Sequence, residues 1–255
     1  MTHLVLLSGW GVDARIWRPL ERHWPTDITI TAPDWPGYGN RAPLDEPDDF
    51  ETLAASMAGE LPEDAVWVGW SLGALLAASV LGHLPAPRAL ILLGMNARFT
   101  IIGGSDTTAP AGVTANQLAA FRRTFERYPV KAWRHFLHWQ LAGEPDPRSA
   151  YQQLGDFLSL DSPQAERATL ASGLKQLATL DISSLLANPV CPMLRLRGSD
   201  DPLLPPPDGS EHAVIANAGH CPQLSAPDEL TSQLSALARH ATQYDNSLRE
   251  VGDGR

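Results

Sequence analysis

Val66-Trp67-Val68-Gly69-Trp70-Ser71-Leu72-Gly73-Ala74 is the stretch that decides how this chain folds. Ala65 to Trp70 is a continuous apolar run of strand length, which predicts a buried strand. Leu72 to Leu84 is made of small and aliphatic residues and predicts a helix. One serine stands between them, in the spacing Gly69-x-Ser71-x-Gly73. A serine on a sharp strand-to-helix turn needs minimal side chains two residues before and two after it, so that strand and helix can pass closely. Such a turn lifts the hydroxyl into solvent at the top of a sheet. It also leaves the next backbone N–H, that of Leu72, near the charge that develops on an attacked carbonyl oxygen. The competing reading is a serine that merely caps the helix after a buried strand. The rest of the chain decides between them, because a nucleophilic serine needs a base, an orienting acid and a second oxyanion donor.

Working outward, Leu4-Val5-Leu6-Leu7 is another apolar run and reads as a buried parallel strand. It runs into Ser8-Gly9-Trp10-Gly11, a glycine-rich loop whose Trp10 N–H is the expected second oxyanion donor. The competing reading of that loop is a tight turn. Ala14 to His23 suits a short helix ended by Pro25. Asp27 to Ala32 is a β-branched strand, followed by a Pro- and Gly-rich loop from Pro33 to Gly39. Phe50 to Leu61 is a helix with Asp48 or Asp49 near its start, and Arg88 to Leu93 is a further buried strand. Strands alternating with helices predict a parallel sheet of βαβ units.

Beyond Gly94 the pattern changes. Arg98 to Gly112 is polar and loop-like. Thr114 to Gly173 reads as helices, opened by a capping box of Thr114 with Gln117 and divided at Pro129. No strand signal is present for about seventy residues, unlike the alternation on either side. The expected organisation is therefore a core over residues 1–108, a helical cap insertion over 109–184, and the rest of the core over 185–255. Val190 to Leu196 and His212 to Ala216 resume the strands. Pro227 to Thr242 is the last helix, and the polar tail from Tyr244 to Arg255 is expected to fray.

The late strands supply the acid and the base. Just past Gly198 stand Asp200 and Asp201, and just past the final strand stands His220. Both loops lie on the carboxyl edge of the sheet, where ligands bind in open α/β folds. Asp201, third after Gly198, is the chosen acid, with Asp200 as rival. His220 is the base. Cys221 beside it has no elbow and no helix start around it and reads as packing. His135 and His138 share a helix face but lack a third ligand, so no metal site is expected. The order serine, acid, histidine is that of α/β-hydrolases. The fold class follows: α/β, an α/β-hydrolase fold with a mostly parallel central sheet, helices on both faces and an inserted helical cap. In this reading Ser71 attacks an acyl carbon, His220 moves the proton, Asp201 holds the imidazole, and no cofactor is required.

Composition sets the outer limits. A chain of 255 residues with 44% hydrophobic content suits one globular domain with an insertion. A net charge of −10 and an isoelectric point near 5.2 argue against nucleic acid or an anionic membrane as general partners. Cys191 and Cys221 have no framework spacing and read as free thiols in a reducing compartment. No basic segment followed by a long apolar run opens the chain. A monomeric, cytoplasmic protein is expected.

Several stretches together carry a more specific resemblance. They are His3-Leu-Val-Leu-Leu-Ser-Gly-Trp-Gly11, Val66-Trp-Val-Gly-Trp-Ser-Leu-Gly73, Phe136-Leu-His-Trp-Gln140, Gly173-Leu-Lys-Gln-Leu-Ala-Thr-Leu-Asp181, Met193-Leu-Arg-Leu-Arg-Gly198 with Asp201, and Asn217-Ala-Gly-His220. Spread over most of the chain, they resemble the pimeloyl-[acyl-carrier protein] methyl ester esterases of biotin synthesis. The resemblance implies a triad of Ser71, Asp201 and His220, and an oxyanion hole from the N–H groups of Trp10 and Leu72. It implies an acyl pocket lined by Trp10, Phe136 and Gln140. It also implies hydrolysis of the methyl ester on a pimeloyl chain borne by acyl-carrier protein. Two departures are visible. Ser8 stands where many relatives have His, and residues that often precede the first strand are absent, so the sheet is expected to lack an edge strand or two.

From Asn116 to Arg148 six basic residues face three acidic ones, within an acidic chain. Arg123, Arg127, Lys131 and Arg134 recur at helical spacing and are the candidate docking face for an acidic carrier protein. The competing reading is an ordinary solvated face. Two rival functions also stand: a broad short-chain carboxylesterase or other serine-triad hydrolase, and a slow-turnover ligand receptor on the same fold.

Overall fold

A computed structural model of the chain describes residues 1–101 and 112–252, with side chains as far as residue 241. The first half runs as β1 (Thr2–Leu7), a 3₁₀ helix (Ala14–Leu20), β2 (Ile28–Thr31), α1 (Phe50–Met57), β3 (Val66–Trp70), α2 (Leu72–Val80) and β4 (Ala89–Leu93). The middle holds β5 (Thr100–Ile101), β6 (Val113–Thr114), α3 (Ala115–Arg127), α4 (Pro129–Gln140), α5 (Pro147–Phe157), α6 (Arg167–Thr179) and α7 (Ser183–Ala187). The last part returns to the sheet with β7 (Met193–Gly198) and β8 (Ala213–Ile215), then α8 (Pro222–Ser225) and α9 (Pro227–Gly252).

Six strands form one sheet in the order β2-β1-β3-β4-β7-β8, every pairing parallel. Every residue of β3 and β4 is buried, as a parallel sheet covered on both faces requires. The edge strand β2 instead mixes buried and exposed positions. The connection from β1 steps one way to β2, and the connections from β2 to β3 and on to β4 step the other way. Right-handed crossovers then place the 3₁₀ helix on one face and α1 with α2 on the other. The carboxyl ends of β1 and β3 flank the point of reversal, where open α/β sheets bind ligands.

Local chemistry accounts for the element ends. Asp49, not Asp48, caps α1, its carboxylate accepting from Glu51 and Thr52 N–H. Thr114 and Gln117 form the expected capping box at α3, and Pro129 occupies the first turn of α4.

Four expectations need correction. Ala14–Leu20 is a 3₁₀ helix rather than a helix reaching His23, because Pro19 has no N–H to continue an α ladder. The elbow helix stops at Val80 instead of Leu84. The region expected to hold no strand contains the two-residue pair β5·β6, too short to leave a periodic signal. The last helix continues to Gly252 where a frayed tail was expected from Tyr244. The expected loop from Arg98 to Gly112 falls largely on residues outside those described, as does the core–cap boundary at 108/109. Among the described residues no helix is long and apolar enough to cross a membrane.

Candidate active site

The turn between β3 and α2 has the strain that the elbow spacing predicts. Ser71 has φ of 55° and ψ of −127°, a left-handed conformation costly for a residue with a Cβ. Its neighbours hold it there. Ser71 N–H donates to the Leu93 carbonyl at 2.9 Å, and Ala74 N–H donates to the Ser71 carbonyl at 3.0 Å. Both glycines are required by contact. A Cβ on Gly69 would run into the backbone of Gly73 and Ala74, and one on Gly73 into the carbonyls of Leu7 and Ser8. One expectation fails: the Ser71 hydroxyl does not stand in solvent. Ser71 is buried, with Gly9 packed on it and the neighbouring Trp10 and Leu72 covered by helices α3, α4 and α6.

His220 and Asp201 meet beside it. His220 Nδ1 and Asp201 Oδ2 are 2.8 Å apart, and neither side chain is exposed. Asp201 Oδ1 accepts from Leu203 N–H at 2.9 Å, which fixes the carboxylate. A carboxylate on Nδ1 favours the Nδ1–H tautomer and leaves Nε2 with its lone pair. His220 Nε2 and Ser71 Oγ are both buried, and neither has a hydrogen-bond partner among the described residues. Hydrogen bonds between a serine and its base often form fully only around bound substrate. Trp70 Nε1 donates to the His220 carbonyl at 2.8 Å, with the two rings 5.4 Å apart. Gly94, at φ of 61°, leaves room for the imidazole; a Cβ there would lie 3.2 Å from Cε1 and Nδ1. The rival Asp200 is exposed and accepts from Ser199 Oγ instead. Cys221 is fully buried, and burial, with the Glu144 and Asp201 charges added, pushes its thiol well above the ordinary range. A thiol so placed is no nucleophile.

The glycine loop after β1 reaches Ser71 from the other side. A Cβ on Gly9 would lie 2.8 Å from Ser71 Cβ and 3.1 Å from the Trp70 carbonyl. The Gly9-Trp10 segment is therefore packed against Ser71. Leu72 opens α2, and first-turn N–H groups have no partner within their own helix. Gly9→Ala is expected to lower kcat/KM for p-nitrophenyl acetate on the order of 10²-fold, the scale of a displacement of about 1 Å between reacting groups. Wild-type kinetics in that variant would separate the loop from the chemistry.

The cap is locked onto this loop. The Trp10 ring sits edge-on against Phe121, Phe125 and Phe136, at 5.9, 5.9 and 4.9 Å, and its Nε1 donates to the Leu170 carbonyl at 2.8 Å. A Cβ on Gly173 of α6 would press 2.6 Å from Trp10 Cδ1 and 3.1 Å from Leu72 Cδ2. Gln140 is buried, and its amide nitrogen has no partner among the described residues. A cavity of about 290 Å³ opens beside Leu72 under α6, lined by Trp35, Tyr38, Leu76 and Gln176 among others; Trp10, Phe136 and Gln140, the expected acyl-pocket residues, all lie outside its lining. Burial pushes the Tyr38 hydroxyl up to about 12, so it stays neutral, and it accepts from Gly11 N–H at 3.4 Å. Arg123, Arg127, Lys131 and Arg134 are all exposed on α3 and α4. Arg134, however, donates to the Leu160 and Asp161 carbonyls at 2.8 and 2.7 Å, so part of its charge is used within the cap.

Gly143, Glu144 and Gly173 contact the loops that carry Asp201, His220 and Trp10 without having been singled out. Only Gly173 carried a signal, as the first residue of a family-like stretch.

Comparison with known proteins agrees with the fold. The model of the alpha/beta hydrolase family matches residues 4–233. A pimeloyl-[acyl-carrier protein] methyl ester esterase of Citrobacter koseri is 32% identical over 92% of this chain and 93% of its own length. One from Vibrio parahaemolyticus is 31% identical over 92% and 94%. A solved thermophilic esterase of Thermogutta terrifontis superposes with a TM-score of 0.70 at 21% identity, covering 95% of this chain and 91% of that one.

Proposed function

The chain belongs to the alpha/beta hydrolase family and, within it, to the family of the pimeloyl-[acyl-carrier protein] methyl ester esterases, and we propose that it hydrolyses the methyl ester of pimeloyl-[acyl-carrier protein] to the free acid and methanol in biotin synthesis. The observation that carries this reading is the likeness to the Citrobacter koseri esterase along nearly the whole of both chains. The buried Ser71, His220 and Asp201 supply chemistry that fits it.

The mechanism we infer follows from the geometry. Ser71 Oγ attacks the ester carbonyl while His220 Nε2 takes its proton. Trp10 and Leu72 N–H stabilise the oxyanion. His220 then protonates the departing methoxide as methanol, and Asp201 stabilises the imidazolium. Water repeats the cycle on the acyl-enzyme and frees the acid. The decisive experiment is mass spectrometry of the methyl-esterified pimeloyl carrier after incubation with the protein. Loss of one CH₂ from the mass is expected; an unchanged mass overturns the substrate assignment.

Carrier docking on the cap belongs to the same proposal. Because Arg134 is tied to the cap backbone, Arg127 and Lys131 are the better probes. Arg127→Glu with Lys131→Glu is expected to lower kcat/KM for the carrier-bound ester by roughly 10-fold at low salt, an encounter effect. The difference should shrink as salt rises, since the screening length is about 10 Å at 0.1 M. Hydrolysis of p-nitrophenyl acetate should not change. Equal losses on both substrates would mean a damaged cap, and no loss on either would mean a plain solvated face.

A further inference from the structure

Glu144 counts in the sequence as one of three acidic residues that offset the basic cap. In the fold it is only 5% exposed and sits between the two catalytic loops. Its Oε2 accepts from Gly219 N–H at 3.0 Å and from the Ser225 hydroxyl, and its Oε1 accepts from Cys221 N–H at 2.7 Å. The two backbone donors are the residues on either side of His220. The preceding residue closes on the other loop: a Cβ on Gly143 would collide with the Asp200 carbonyl and lie 3.0 Å from Pro202 Cδ. Gly219 in turn has no room for a side chain, since a Cβ there would lie 2.6 Å from Glu144 Oε1 and 2.7 Å from the Gly143 carbonyl carbon. One cap segment, just past the end of α4, thus wedges between the Asp200–Pro202 turn and the Gly219–Cys221 turn.

A buried carboxylate is costly unless donors saturate it. Here three donors, two N–H groups of the histidine loop and the hydroxyl of the last residue of α8, do so, and charge-assisted bonds of this kind are the strong ones. Two N–H groups held at both ends of one residue leave its backbone little freedom to rotate. His220 must keep Nδ1 on Asp201 while Nε2 stays within reach of Ser71, and small rotations of its backbone would break that alignment.

We propose that Glu144 is the positioning residue for His220, through which the cap sets the aim of the catalytic base. It touches neither substrate nor the reacting atoms. The cap is then more than a lid: its docked state and the working geometry of the triad are one arrangement. The proposal rests on the serine-esterase reading, but its test needs no carrier substrate.

The test is a cycle of Glu144→Gln and His220→Ala on p-nitrophenyl acetate, with the melting temperature of each variant measured. Glutamine is nearly the same size, but its NH₂ must face one of the two N–H groups, donor against donor. Glu144→Gln is expected to lower kcat on the order of 10²-fold with KM little changed. In the His220→Ala background it should add almost nothing, since the aim of an absent base cannot matter. The low-field Nδ1–H proton resonance of His220 should broaden or move in Glu144→Gln. Ser225→Ala, which removes only the third donor, should show the same pattern with a smaller loss, and serves if the first variant folds poorly. An equal loss in the presence and absence of His220, a change confined to KM, or an unmoved Nδ1–H resonance would overturn the proposal. A protein that cleaves p-nitrophenyl acetate but leaves the pimeloyl carrier ester intact would instead sink the substrate assignment and leave this test standing.

Discussion

Ser71→Ala is expected to abolish ester hydrolysis, with turnover on p-nitrophenyl acetate falling on the order of 10⁴-fold or more. What remains would come from the oxyanion donors and substrate binding alone. The same variant should melt at the wild-type temperature or slightly above it. The hydroxyl is buried and makes no hydrogen bond among the described residues, so its removal leaves no partner stranded there and relieves a desolvated polar group. The strained backbone is unaffected, because Ala keeps the Cβ that makes φ of 55° costly. Such a variant separates chemistry from folding cleanly: activity goes and stability does not. Near-wild-type turnover would end the serine mechanism, and a large drop in melting temperature would mean that the hydroxyl has a structural partner.

Where the chemistry demands a local pattern, the sequence was readable. Gly69 is forced by the backbone of Gly73 and Ala74 a few residues away, and Gly73 by the Leu7 and Ser8 carbonyls at the end of the neighbouring strand β1; both contacts belong to the strand-to-helix turn, so the spacing shows in the chain itself. Asp201 and His220 each follow a strand end by a short turn, and the parallel sheet brings those turns together. Buried strands such as β3 and β4 announced themselves as apolar runs for the same reason. What was not readable depends on how distant segments meet. The burial of Ser71 follows from how the loop at Gly9 and the cap helices come together. Glu144 looked like surface charge because nothing near it in sequence marks it as buried; its three donors lie 75 to 81 residues further on. Arg134 looked like a docking cation for a similar reason, since the carbonyls that occupy it come from the loop after α5. The 3₁₀ geometry after β1 was masked by helix-compatible residues around Pro19.

Asp201→Asn is expected to lower kcat/KM on the order of 10⁴-fold, whereas Asp200→Asn should be mild. The reason lies in how many donors the carboxylate serves. Asp201 accepts from His220 on one oxygen and from Leu203 N–H on the other. Asparagine offers one acceptor and one donor in their place. If its oxygen takes the Leu203 N–H, its NH₂ faces His220 Nδ1 and draws the ring into the Nε2–H tautomer. Nε2 then carries a proton and cannot accept the one from Ser71. If the amide flips, the tautomer is right but NH₂ meets the Leu203 N–H, donor against donor, and the loop must shift. Neither orientation restores the wild-type arrangement, and the imidazolium formed during attack loses its buried countercharge in both. Asp200 faces solvent and, among the described residues, its carboxylate accepts from the Ser199 hydroxyl alone, so exchanging an oxygen there for a nitrogen disturbs an exposed contact. Steady-state kinetics of the two variants on p-nitrophenyl acetate decide the assignment, and a larger loss in Asp200→Asn than in Asp201→Asn would transfer the acid's role to the neighbouring residue.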